Sequence, residues 1–451
     1  MKYSAAVLLG SAVASVSAGY CADAVESDGN YYCPGAVKQI KYSGLDISGS
    51  YRAVSLMDNT GTCTFDSKDY SGSMAPFDEG LSMHFRGPIK ISNVAVYMPG
   101  KSSTKREAPK KSKRHQHHGH QHLHKKHHEE KRQIGATVTA EIDGQMVTWI
   151  NSYSGETPAS EADAGSAQTT ATTAAEAPAA TTSAATTSAK GHTSTSSDSG
   201  SIEGDWVRSA FYCAADGNAD GLTFLANVGS DAVSGTWDTV WGSSLAYVSE
   251  DGKTVAASPQ VLKDALLDDD TEIAIFSDSA CTTETCGTSR PKSVAYRGFE
   301  GASKVFVVEF TMPQSGKTGT NQNMPAFWLL NSAIPRTAQY ASCSCWMGDN
   351  TSPQEGGCGE FDVVEILTPG ETRAKSTFHF ANGIGDSHFF ERPVSSSGIY
   401  AVVFDGENSS VSIKQLDSFD WATSLTSNSL TDMIVDEIEN SLVALADIVA
   451  R

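Results

Sequence analysis

Glu360, Asp362 and Glu365 place three carboxylates within six residues, inside a run from Gly359 to Leu367 that otherwise reads as a buried β-strand. In a regular strand, side chains alternate faces, so Glu360 and Asp362 point one way and Glu365 the other. A β-bulge at Val363-Val364 resets the alternation and brings all three onto one face, and such bulges are often found beside active sites. A retaining glycosidase needs two carboxyl groups about 5 to 5.5 Å apart, one as nucleophile and one as acid/base, which neighbouring same-face positions on a bulged strand can supply. The plainer alternative for three clustered acids is a solvent-facing strand edge. Here Phe361, Val363, Val364, Ile366 and Leu367 interleave with them, which predicts a strand buried on its other face and acids that line a cleft. Clustered like charges also raise at least one pKa, as a general acid working near neutrality requires.

The elements that must hold this strand belong to the C-terminal part of the chain. From Ile202 onward, short apolar runs are separated by Gly, Asn, Asp and Ser, the pattern of an all-β sandwich. Residues 202–440 suit one such domain, followed by a tail at 441–451. This part carries 34 Asp and Glu against 14 Lys and Arg, while the remainder balances at 19 against 19. An acidic catalytic region argues against nucleic acid or anionic lipid as partner and suits a neutral polymer such as glucan.

The N-terminal half has a different texture. Met1-Lys2, the apolar run Ala5 to Val16 and the small-residue end Val16-Ser17-Ala18 read as a secretory signal peptide over residues 1–18. No other segment approaches the apolar length of a membrane-spanning helix, and Asp447 interrupts the short C-terminus, so neither a span nor an anchor is expected. Residues 19–156 suggest a small β-rich module with a strand pair at Ala136 to Trp149 turning at Asp143-Gly144. That module is interrupted by residues 101–132, which carry eight of the twelve histidines and three dibasic pairs and are expected to be disordered. The dibasic pairs read equally as processing sites or as a solvated loop. Residues 157–200, mostly Thr, Ser and Ala, fit an O-glycosylated linker.

Export makes the nine cysteines candidate disulfide formers. Cys21, Cys33 and Cys63 leave one over, whereas the six from Cys213 onward can pair internally. Cys281 with Cys286, and Cys343 or Cys345 with Cys358, are plausible local staples. Cys343-Ser-Cys345 lacks the second cysteine or histidine pair of a zinc site, and the histidine tract offers no preset geometry. No metal or other cofactor is expected.

Glu360-x-Asp362-x-x-Glu365 resembles the bulged active-site strand of glycoside hydrolase family 16. Val305 to Pro313 followed by Met324 to Leu330 is similar to the two strands before that motif. Ser376-Thr-Phe-His379-Phe resembles the strand after it, and Tyr400 to Gly406 with Val411 to Lys414 its late hairpin. The whole layout, including Trp237-Asp-Thr-Val-Trp241 through Tyr247, is similar to the fungal cell-wall "target of SBF" proteins, described as glucan endo-1,3-β-glucosidases. The resemblance implies a concanavalin A-like jelly roll, β-1,3-glucan as substrate, a secreted cell-wall location, Glu360 as nucleophile, Glu365 as acid/base and Asp362 as the group between them. Met324 departs from the family, which often carries tryptophan there; Trp328, Trp346, Trp237 or Trp241 could replace its flat face. His379, Trp328, Asn331 and Trp346 are candidate substrate contacts, with Asn382 a further one. Hydrolase and transglycosylase share this constellation. A non-catalytic glucan-binding wall protein is the competing class, although both glutamates remain. The protein is expected to act as a monomer.

Overall fold

A computed structural model describes residues 21, 23–100, 137–142, 145–150, 206–339, 343–346, 357–380, 384–434 and 443–447. The signal-peptide reading, the basic tract at 101–132 and the Ser/Thr-rich linker at 157–200 lie outside these residues, as does Asn382. The described chain is nearly all β. The expected hairpin near Asp143-Gly144 forms from Thr137–Ile142 and Gln145–Ile150.

Two large sheets face each other across one core. The front sheet runs, in spatial order, Leu222–Ala226, Glu272–Ser277, Leu81–Arg86, Ala326–Asn331, Glu360–Glu365 and Arg373–His379, with shorter strands at its ends. The back sheet runs Trp206–Cys213, Lys90–Pro99, Lys304–Thr311, Gly398–Asp405, Ser410–Leu416 and Gln39–Ser43. Aromatic rings fill the space between them. Phe361 stacks on Phe378 at 3.8 Å between centroids and meets Tyr42 at 5.8 Å and Phe404 at 6.3 Å from the back sheet. Phe327 lies between Phe85 at 4.9 Å and Phe310 at 5.9 Å. Truncating any of these to alanine would cost about 3–5 kcal/mol through lost burial and the cavity left behind.

The back sheet's central strands, such as Val305-Phe-Val-Val308 and Tyr400-Ala-Val-Val-Phe404, read as continuous apolar runs rather than alternating ones. Their outward residues Val305, Val307, Ala401 and Val403 are covered by a second cluster that includes Leu425 and Met433. A strand buried on both faces has no reason to alternate.

A boundary drawn between a module at 19–156 and a domain at 202–440 does not separate anything in this sandwich. Lys90–Pro99 is hydrogen-bonded to Trp206–Cys213 on one side and to Lys304–Thr311 on the other. Leu81–Arg86 sits likewise between Glu272–Ser277 and Ala326–Asn331. Strand signals are local, so sequence spacing could not reveal that two strands from before the linkers belong in the middle of both sheets. Residues 443–447, expected as part of a tail, pair in parallel with Gln39–Ser43.

The cysteines follow the same rule. Cys281–Cys286 and Cys345–Cys358 form as local staples, and Cys21 pairs with Cys33. The six C-terminal cysteines do not close among themselves. Cys343 reaches back 280 positions to Cys63, leaving Cys213 as the free thiol.

The interleaving predicts that a polypeptide beginning at residue 202 will not fold alone. Circular dichroism should show no cooperative thermal transition for it, and co-expression with residues 19–100 should restore one.

Candidate active site

The sequence Glu360-Phe-Asp-Val-Val-Glu365 forms its bulge where the spacing predicts. Phe327 pairs with Val364 but the next residue, Trp328, pairs with Asp362, leaving Val363 unmatched. On the other side Asp362 pairs with Thr377 and Glu365 with Lys375, so two residues oppose one. Three rungs now cross the front sheet on one face. Ser82, Leu330, Glu360 and His379 make the first; His84, Trp328, Asp362 and Thr377 the second; Arg86, Ala326, Glu365 and Lys375 the third. The carboxylates stand at the same column of successive rungs. Gly359 delivers the chain into this strand at φ +109°, and a Cβ there would lie 3.0 Å from the Phe77 ring, so glycine is required twice over.

Each acid has its own partner. The Trp346 indole N–H donates to Glu360. Asp362 Oδ2 meets His379 Nε2 at 2.9 Å. The Arg86 guanidinium donates to Glu365 Oε1 at 3.0 Å and, through Nε, to the Met324 carbonyl at 2.8 Å. Between Arg86 and Glu365 stands Ala326, paired with both. Only a small side chain there lets the guanidinium pass over to the acid. The side chains of Glu365 and His379 are 19% and 31% exposed, so this face meets solvent.

Burial displaces these groups from their ordinary protonation. Desolvation, followed by the charge of Asp362, pushes Glu360 and Glu365 well above the usual carboxylate range, while Trp346 and Arg86 pull back against it. Burial alone would lower the His379 pKa, but the hydrogen bond and charge of Asp362 outweigh it and raise it to about 10. An imidazolium facing Asp362 therefore sits among three acids near neutral pH, and the glutamate pair together retains a proton that free carboxyls would lose.

Among the remaining sequence candidates, Trp346 and His379 join this cluster through Glu360 and Asp362, whereas Trp328 and Asn331 are nearly buried. Trp328 is 5% exposed, its ring packed 5.2 Å from that of His84. Asn331 is 2% exposed and holds Glu79 and the Cys358 carbonyl, each at 3.0 Å. Trp241 donates to the Asp58 carbonyl, and Trp237 is half exposed. Among the described residues no group of His, Cys, Asp and Glu could hold a metal ion.

Sequence reading missed Arg86 and His84. The alternation Ser82-x-His84-x-Arg86 in an otherwise apolar strand was the available signal, but it lies about 270 residues from the acids. His84 is buried between Ser82 Oγ at 2.9 Å and Glu272 Oε1 at 3.0 Å, which fixes the imidazole behind Trp328.

An antiparallel sandwich that gathers three carboxylates, an imidazolium and a guanidinium on one sheet face defines an all-β protein with a carboxylate-centred site. Two family profiles match it: "Cell wall protein YJL171C/Tos1, C-terminal" over residues 204–433 and its N-terminal counterpart over residues 38–99. The chain belongs to this family of fungal cell wall proteins. A protein of Saccharomyces cerevisiae named "Probable circularly permuted 1,3-beta-glucanase TOS1" is 37% identical over 92% of each chain. The protein of that name in Candida albicans is 35% identical over 92% of this chain and 94% of its own. A "Probable circularly permuted 1,3-beta-glucanase" of Arthroderma benhamiae is 36% identical over 86% of each. No solved structure matches.

The raised glutamate pKa has a stability consequence. A carboxyl whose folded pKa exceeds its unfolded value favours folding most below the unfolded value, near pH 4, and loses that contribution as pH rises through the folded value. Glu360→Gln should therefore raise the melting temperature by at least about 2 °C at pH 8, with the gain vanishing near pH 4 in thermal scans.

Proposed function

We propose that this protein is a secreted cell-wall glycoside hydrolase that cleaves internal bonds of β-1,3-glucan with retention of configuration. The observation that carries the reading is the bulge, which turns a strand that would split its acids between two faces into one that gathers them. The relatives' names point to the same substrate.

Glu360 is the nucleophile. Trp346 orients its carboxylate and stabilises the ionised form through the indole N–H. Glu365 is the acid/base. Burial and the Asp362 charge let it hold a proton, which it gives to the departing glycosidic oxygen as Glu360 attacks the anomeric carbon. The Arg86 guanidinium then stabilises the Glu365 carboxylate left behind. That carboxylate takes a proton from water, whose oxygen attacks the anomeric carbon, breaks the glycosyl ester and frees Glu360. Asp362, hydrogen-bonded to His379, stands between the two glutamates on the same face, and its charge favours a proton on one of them. If a sugar hydroxyl enters in place of water, the same steps transfer a chain.

The term "circularly permuted" in the relatives' names fits the strand arrangement. Leu81–Arg86 and Lys90–Pro99 precede the linkers in the chain yet lie in the interior of both sheets. We take the sandwich to be a concanavalin A-like jelly roll whose chain starts at a different strand.

Incubation with β-1,3-glucan oligosaccharides, followed by mass spectrometry and proton NMR of the fresh anomers, tests this. Wild type should give shorter products of retained β configuration, or longer ones by transfer. Glu360→Gln and Glu365→Gln should each lose at least about a thousandfold in kcat. Absence of any product from wild type, with glucan still bound, would replace the reading with a glucan-binding wall protein.

A further inference from the structure

The hairpin Asp46–Met57 and Cys63–Ser73 is a long arm with few buried residues, and a two-stranded hairpin is at best marginally stable in water by itself. It is tied down along its length. Its base joins the sandwich through Ser73 Oγ to the Gly406 carbonyl at 2.6 Å, its middle through Tyr51 and Lys68 to Glu79, and its outer part through the Thr288 hydroxyl to the Ser55 carbonyl at 3.2 Å. Its tip packs Met57 and Cys63 with Ala338, Cys343 and Trp241, and closes the disulfide Cys63–Cys343.

That disulfide falls at a chemically consequential point. Cys343 is two residues before Cys345, which is bonded to Cys358, and Cys358 is two residues before Glu360. Trp346, the donor to Glu360, follows Cys345 directly. Backbone bonds register the same segment: the Ala338 N–H to the Cys343 carbonyl at 3.0 Å and the Cys358 N–H to the Cys345 carbonyl at 3.1 Å. Gly357 packs so tightly on the Cys345 carbonyl that a Cβ there would lie 1.9 Å from it. Cys345–Cys358 therefore fixes the segment's distance from the acid strand. The second disulfide, at Cys343, ties the same segment covalently to the N-terminal hairpin three residues before Trp346.

We infer that the tip of this N-terminal hairpin is a positioning device for the nucleophile, with Cys63 acting through Cys343 and Trp346 to aim the indole N–H at Glu360. The inference rests on the reading of Glu360 as nucleophile. The charged groups that face Glu360 are Asp362 and Glu365 on its own strand and His379 on the next. Leu330 faces it from the other side. Trp346 is thus a neutral donor beside that ionisable cluster, and losing its aim disfavours the ionised nucleophile.

Turnover against pH for Cys63→Ser/Cys343→Ser, for Trp346→Phe and for the triple variant tests it. The paired serine variant and Trp346→Phe should each lower kcat by about tenfold or more, the order expected for a hydrogen bond to a charged group, and should move the acidic limb of the profile to higher pH by similar amounts. The triple variant should be no worse than Trp346→Phe. A folded staple variant with a wild-type acidic limb, or a triple variant whose losses multiply, overturns the inference. If the serine pair does not accumulate, Cys63→Ala with Cys343→Val keeps the pocket apolar and carries the same comparison. Graded reduction of the wild-type protein, with the opened bond assigned by alkylation and peptide mass, makes it without substitution. Full activity in Glu360→Gln would instead sink the reading of the site itself. An inactive Glu360→Gln beside an unmoved limb in the staple variant sinks only the present inference.

Discussion

The corner at Gly87-Pro88-Ile89 is the constraint on which the rest of the structure depends. Within three residues the chain leaves the front sheet, where Leu81–Arg86 runs between two strands, and enters the interior of the back sheet as Lys90–Pro99. Gly87 donates to the Thr271 carbonyl at 2.9 Å, and Ile89 exchanges both backbone bonds with Leu267. A Cβ at Gly87 would lie 2.0 Å from the Asp268 carbonyl, so the approach is open only to glycine. Because this one segment supplies a central strand to each layer, the two sheets cannot assemble independently.

The site inherits this dependence. All three of its acids stand opposite residues of the Ala326–Asn331 strand, and that strand is held on its far side by Leu81–Arg86. Arg86 crosses the small Ala326 to reach Glu365, so the cation beside one glutamate comes from the N-terminal segment and the acid from the C-terminal one. The Cys63–Cys343 bond repeats the arrangement at Glu360. The cation at one end of the acid strand therefore lies 279 positions away in sequence, and the segment that carries the donor at the other end is tied to a cysteine 280 positions before it.

Electrostatics and packing also oppose each other here. Three carboxylates on one face of a half-buried strand would be costly if all were ionised, since both burial and mutual repulsion disfavour the charged forms. The cluster relieves this by keeping a proton within the glutamate pair, by setting the His379 imidazolium against Asp362, and by directing one N–H donor at each glutamate. What destabilises the fold near neutral pH is what suits the glutamates to proton transfer.

Much of this was legible in sequence because it is local. Alternation and its failure over Glu360 to Glu365 fixed the bulge, since a bulge needs only the count of residues between same-face acids. The all-β class followed from short apolar runs, and Cys281–Cys286 and Cys345–Cys358 from close spacing. Trp328 and Asn331 are ligand candidates by type and place, but the burial of each could not be read, since burial is a property of what covers a residue rather than of the residue. The alternation around Arg86 marked a strand face but not its neighbours, and neither the Cys63–Cys343 bond nor the membership of Leu81–Pro99 in the sandwich could be read. They depend on which strands become neighbours across more than two hundred residues, and in β structure that choice is made by register and core complementarity between distant segments, which only the assembled sheets express.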